Sequence, residues 1–271
     1  MMVYKTKEDI ELLRKSNLLV SKTLAEVASL IKPGVTTIKL DKKAEEFIRD
    51  NSAKPAFLGY NEFPNTLCTS VNNQVVHGIP SSYELKDGDI LSIDCGVLLN
   101  EFYGDSAYTF PVGEVEERIM GLLIKTKESL FKGIEHAVEG KRLGDISYAI
   151  QSYVEDSGYS VVREMVGHGL GRKLHEEPEV PNYGKRGTGI KLKKGLVICV
   201  EPMINLGTQK IKQENDGWTI VTVDGKPSAH YELAIVVNKD TVDILSTFEY
   251  IEKVFNNLPD SRSLLASVPC R

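Results

Sequence analysis

Lys86–Asp94 reads KDGDILSID and Lys193–Glu201 reads KKGLVICVE. Laid over each other at an offset of 107, the two stretches share a Lys, a Gly and an apolar run that ends on an acid. A short apolar run entered from a turn residue predicts a buried strand, so Asp94 and Glu201 become equivalent strand ends. An offset of 106 adds a second match, placing Gly34 on Gly140, Leu40 on Ile146, Ala44 on Ile150, Phe47 on Tyr153 and Ile48 on Val154. Two segments agreeing at nearly one offset imply a duplicated unit, with halves about 1–112 and 113–250. A cleft between two similar halves is a natural place for a shared site.

Between the strands lie helical patterns. Ile10, Leu13, Val20, Leu24, Val27 and Ile31 recur in steps of three, four or seven residues, which predicts a helix from Glu8 to Ile31. Thr6 is placed to cap it and Pro33-Gly34 to stop it. Further helices are expected over Thr37 to Asn51, Val115 to Val138 and Asp145 to Ser157, giving an α+β class. Residues 251–271 are expected to be a C-terminal tail with a mobile end.

A chain of 271 residues can bury one sizeable core without disulfides. A net charge of −5 gives no reason to expect nucleic acid, and the basic run Lys185, Arg186, Lys191, Lys193 and Lys194 reads as a solvated loop. The N-terminus has no apolar signal-like segment, and no stretch approaches the roughly 20 apolar residues of a membrane span. Cys68, Cys95, Cys199 and Cys270 form no CxxC pair, so reduced thiols and a cytoplasmic location are expected.

Asp94, Asp105, His168, Glu201 and Glu232 each sit on a short apolar or Gly-rich stretch. Unpaired charges on core-facing strands are costly, and two divalent cations would neutralise four carboxylates. A hairpin symmetric about Leu99 and Asn100 would set Asp94 opposite Asp105, and Glu232 opens the strand-like run ELAIVV. His168, in VGHGLG, is flanked by glycines that let backbone pass close to a ligand. Hard oxygen donors suit Mg, Mn, Fe or Co, with Zn also possible when an imidazole joins, and the ions expected here are Co, Mn, Fe, Zn or Ni. Such ions lower the pKa of water so that a nucleophile exists near neutral pH, which is hydrolytic chemistry. His77 and His175 lie in loops where they can donate to a developing oxyanion. His136 reads as a surface residue and His230 as a structural one. GHGLG at Gly167–Gly171 is a weak nucleotide motif, because the prolines after it do not open a helix.

The segments VNNQVVHGIP, KDGDILSIDCGV, FYGDSAYTF, GHGLGRKLHEEPEVPNY, GLVICVEPMI and NDGWTIVTVDGKPSAHYELAIVV together resemble a type I methionine aminopeptidase of the minimal bacterial form. The resemblance runs from about Tyr4 to about Leu245. It implies the pita-bread (creatinase-like) fold, a curved, mostly antiparallel sheet covered by helices in two pseudo-symmetric halves. It implies that two divalent metal ions are held by Asp94, Asp105, His168, Glu201 and Glu232, with Asp105 and Glu232 bridging. Glu201 would be the general base, His175 would steady the tetrahedral intermediate, and His77 and His175 would touch substrate. Tyr60, Phe63, Cys68 and Trp218 match the methionine pocket, beside which Phe57 and Leu174 depart from the usual residues. The implied substrate is the N-terminal Met of nascent polypeptides and peptides whose second residue is small. A monomer in transient ribosome contact is expected, without sequence-specific nucleic acid or membrane.

Two rivals follow. A proline-directed peptidase of the same fold usually carries an additional N-terminal domain, for which the residues before Pro33 leave no room. A non-catalytic peptide-binding relative would tend to have lost ligands, and all five are present here.

Overall fold

The computed structural model describes residues 2–255. The helices fall close to where the apolar periodicity puts them: α1 spans Lys7–Ala28, α2 Thr37–Asp50, α3 Glu117–Ile134 and α4 Leu143–Asp156. Thr6 caps α1 in a reciprocal capping box with Asp9, satisfying two backbone donors that the first turn leaves free.

The strands Ile90–Leu99 and Phe102–Pro111 form one long hairpin, flanked by Leu67–Val71 and Lys54–Pro55. Its turn corrects the expected register. Leu99 pairs with Phe102, so Asp94 lies opposite Ala107 and Asp105 opposite Gly96. The tip is Asn100-Glu101, both at positive φ (52° and 65°), as a two-residue hairpin turn matching strand twist requires. Asn tolerates that conformation and a buried-strand Leu does not. The two acids are therefore diagonal neighbours rather than direct partners.

Alternation then sorts the faces. Ile93, Cys95 and Val97 of one strand and Tyr108 and Phe110 of the other enter the main core, which turns Asp94 and Asp105 to the opposite face. The second half repeats the rule. A five-stranded sheet runs in the order Val242–Ile244, Leu233–Val237, Val197–Val200, Gly167–Gly169, Glu176–Val180. Ile198, Val200, Leu233 and Ile235 join the main core, while Val197, Cys199, Ala234 and Val236 join a second cluster with Phe57 and Phe63. Glu201 and Glu232 extend that second face, and the pairing Leu233↔Val200 sets them side by side.

The two halves are stitched behind the acids. Ser106 Oγ donates to the Glu232 carbonyl at 2.7 Å and the Glu232 N–H to the Ala107 carbonyl at 2.9 Å. Helix α1 presses on the hairpin at Gly104, where a Cβ would lie 2.5 Å from Ser16 backbone, and Asn17 Oδ1 accepts from the Asp105 N–H.

Residues 251–255 do not belong to a mobile end. Glu249–Phe255 is a helix, α5, with Ile251 and Phe255 buried, and residues 256–271 of the expected tail lie outside the described residues. Its Glu252 meets the fully buried Lys127 at 2.8 Å. Weakening an ion pair of a buried charge is destabilising, so Glu252→Gln is expected to lower stability. Urea unfolding would show this as a lower midpoint, and an unchanged midpoint would mean that Lys127 does not depend on Glu252. No described helix is long and apolar enough to cross a membrane.

Candidate metal centre and its cavity

A cavity of about 270 Å³ opens between the halves, and all the expected site residues line it. Asp94, Asp105, Glu201 and Glu232 come from the two strand faces just described, and His168 from the short strand Gly167–Gly169. That strand admits only glycine beside His168: a Cβ at 167 would sit 2.3 Å from the Cys199 carbonyl, and one at 169 would sit 2.4 Å from the Glu177 carbonyl.

The ring of His168 is aimed. Its Nδ1 donates to the Gly169 carbonyl at 3.0 Å, which fixes the tautomer and turns the Nε2 lone pair inward. Nε2 lies 3.6 Å from Glu201 Oε1 and 3.8 Å from Asp105 Oδ2. Burial lowers the His168 pKa to about 4, so the ring is neutral at pH 7. Without a cation, this is an arrangement of lone pairs facing carboxylates.

The carboxylates show the same strain. Burial raises Asp94 to about 6. It raises Asp105, Glu201 and Glu232 well above the ordinary range, with repulsion between them adding to the effect. Asp94 Oδ1, Asp105 Oδ1 and Glu232 Oε1 are buried without a hydrogen-bond partner, although such atoms are normally satisfied. Ligand atoms of Asp105, His168, Cys199 and Glu232 all lie within 4.8 Å of one another. Inward-facing oxygens without donors, crowded around one oriented imidazole nitrogen, fit a pair of divalent ions.

The rest of the cavity divides by polarity. Phe63 and Trp218 meet edge to face at 5.1 Å and, with Phe57, Tyr60, Cys68 and Leu174, form an apolar wall. From that wall, Tyr60 Oη reaches His175 Nδ1 at 2.8 Å. His77 holds a left-handed φ of 59°, the kind of strain that clusters at functional sites, and burial lowers its pKa to about 4.

Three features escaped sequence reasoning. His230, read as structural, lines the cavity with Nε2 3.4 Å from Glu201 Oε2; its position two residues before Glu232 on the same face of an extended segment was the available signal. Cys199 lies under Glu232 on the site-facing side of its strand, two residues before Glu201. Met165 and Met203 also line the cavity, and nothing in their sequence context marked them.

Comparison with known proteins agrees with this geometry. The pattern of metallopeptidase family M24 matches residues 11–239. The methionine aminopeptidase of Clostridium perfringens is 52% identical over 246 residues, covering 91% of this chain and 99% of that protein. The crystal structure of methionine aminopeptidase from Rickettsia prowazekii superposes with a TM-score of 0.90 at 43% identity, covering 91% of this chain and all of that one. The prolidase of Pyrococcus horikoshii superposes at 0.74 with 22% identity, covering 91% of this chain and 64% of that one, a likeness of fold alone. The architecture is thus the pita-bread fold expected from the sequence, and the chain belongs to metallopeptidase family M24.

Proposed function

We infer that this protein is a divalent-metal-dependent methionine aminopeptidase. It hydrolyses the peptide bond after an N-terminal methionine, acting on nascent proteins and peptides whose second residue is small. The observation that carries this reading is the convergence of four buried carboxylates, three of them with an unpartnered oxygen, and one oriented imidazole in a cavity with an aromatic wall.

Asp94, Asp105, His168, Glu201 and Glu232 would hold two divalent ions, which when bound neutralise the acids and activate water as Lewis acids. Glu201, whose carboxylate faces the cavity, is suited to accept the proton of the attacking water. His175 is neutral because burial lowers its pKa. With Tyr60 Oη donating to Nδ1, the Nε2–H of His175 is free to donate to the oxygen on which charge develops. His77 supplies a second donor across the cavity. The apolar wall of Tyr60, Phe63, Cys68 and Trp218 takes the thioether side chain, with Phe57 and Leu174 shaping its back. All of these are uncharged surfaces that suit methionine.

The same reading makes residues 1–250, extended by the rest of α5, one metallopeptidase domain of two halves, about 1–112 and 113–250. It places the protein in the cytoplasm as a monomer that meets nascent chains at a transient ribosome contact, without sequence-specific nucleic acid or membrane.

Loaded with Mn or Co, the protein is expected to release methionine from Met-Ala-Ser and to leave X-Pro peptides largely intact. Preferential cleavage of X-Pro peptides would overturn the substrate assignment.

A further inference from the structure

The mechanism leaves one imidazole of the cavity idle. His230 is 1% exposed and its backbone is locked to the hairpin: its N–H donates to Thr109 Oγ1 at 2.9 Å, and that hydroxyl donates to its carbonyl at 2.8 Å. The ring is therefore held in place by the same strand that carries Asp105. Its Nε2 is buried and has no hydrogen-bond partner, a condition that native structures avoid. A carboxylate oxygen, Glu201 Oε2, lies 3.4 Å away, while the other oxygen, Oε1, faces His168 Nε2 at 3.6 Å. Glu201 is thus bracketed by two imidazoles, one for each oxygen.

The two rings do opposite jobs. His168 has its Nδ1 proton committed to a carbonyl and presents a lone pair. A second lone pair against Glu201 would only repel it, so the stable tautomer of His230 carries its proton on Nε2. We propose that His230 is a positioning residue for Glu201. Its Nε2–H donates to Oε2 and fixes the rotation of the carboxylate, so that Oε1 stays on the His168 side, where it would be available to help hold an ion and to accept a proton. This proposal rests on the aminopeptidase reading and adds to it a residue that acts through Glu201 without touching substrate.

Three variants test it. His230→Leu fills the space without a donor, His230→Asn is polar but too short to reach, and His230→Gln can still donate. Hydrogen bonds to charged groups are among the stronger ones, so Leu and Asn are each expected to lower kcat for Met-Ala-Ser about tenfold to a hundredfold with KM nearly unchanged. Titration calorimetry of Mn into the metal-free variants should show weakened affinity in the same two, and Gln should restore most of both quantities. If Leu fails to fold, the contrast between Asn and Gln decides. Asn equal to the parent in kcat and ion affinity, or Gln as poor as Asn, would overturn the proposal and leave His230 a packing residue. Those results are separable from failure of the aminopeptidase reading, which would appear as a parent protein that releases no methionine with any divalent ion.

Discussion

Glu201→Gln is expected to lower kcat for Met-Ala-Ser by about 10²- to 10⁴-fold, with KM changing little. Gln keeps the shape of the side chain and one oxygen, and loses the ability to accept a proton. In the metal-free protein, burial and the charge of Asp94 hold its pKa well above the ordinary carboxylate range. Because Glu201 also faces the imidazole of His168 at 3.6 Å, the variant must be assayed at saturating metal, so that lost occupancy is not counted as lost turnover. Equal turnover in variant and parent would remove Glu201 from the proton-transfer role.

Asp105→Asn is expected to move two quantities in opposite directions. Affinity for divalent ions should fall by at least about tenfold, since second-rank changes around metal ligands already cost about 10–100-fold and this one removes a ligand charge. The metal-free protein should become more stable at pH 8. The Asp105 pKa is raised by burial first and then by Glu232, Asp94 and Glu201. A carboxyl raised in the folded state contributes stability below its unfolded pKa and loses it as pH climbs through the folded value. For Asp94 that window runs from about 4 to about 6, and for Asp105 it extends higher. A neutral Asn escapes the penalty, and each kcal/mol recovered raises Tm by about 2–4 °C. For the same reason, ion binding to the parent should displace protons, so affinity should rise with pH. A metal-free variant that melts below the parent at pH 8 would show that the acids do not repel as the geometry implies.

Much of this was legible in the chain because burial and chemistry coincide. Asp94, Glu201 and Glu232 each adjoin a strand whose alternating residues enter the core, so the face of each acid followed from parity once the strand was recognised. Helices α1 and α2 carry apolar residues on one helical face, and their spacing places them to within a few residues of where they lie. The hairpin register was misplaced because the turn was centred one residue early, and in a ladder that moves a partner by two positions. Asn100 and Glu101 were the clue, as a polar pair able to take positive φ between two apolar strands. Residues 251–255 were read as tail although Ile251 and Phe255 stand four apart, the spacing of one buried helical face. His230 reads as structural because one imidazole near a carboxylate has no periodic signature, and only strand pairing within the second half, Met203 with His230, sets it against Glu201.

The most direct test of the central claim is methionine release from Met-Ala-Ser by exhaustively chelated protein, before and after Mn or Co is returned in measured amounts. Release should vanish on chelation and return as one or two ions per chain are added. Methionine release that survives chelation, or that never appears with any divalent ion, would contradict a metal centre shared by the two halves.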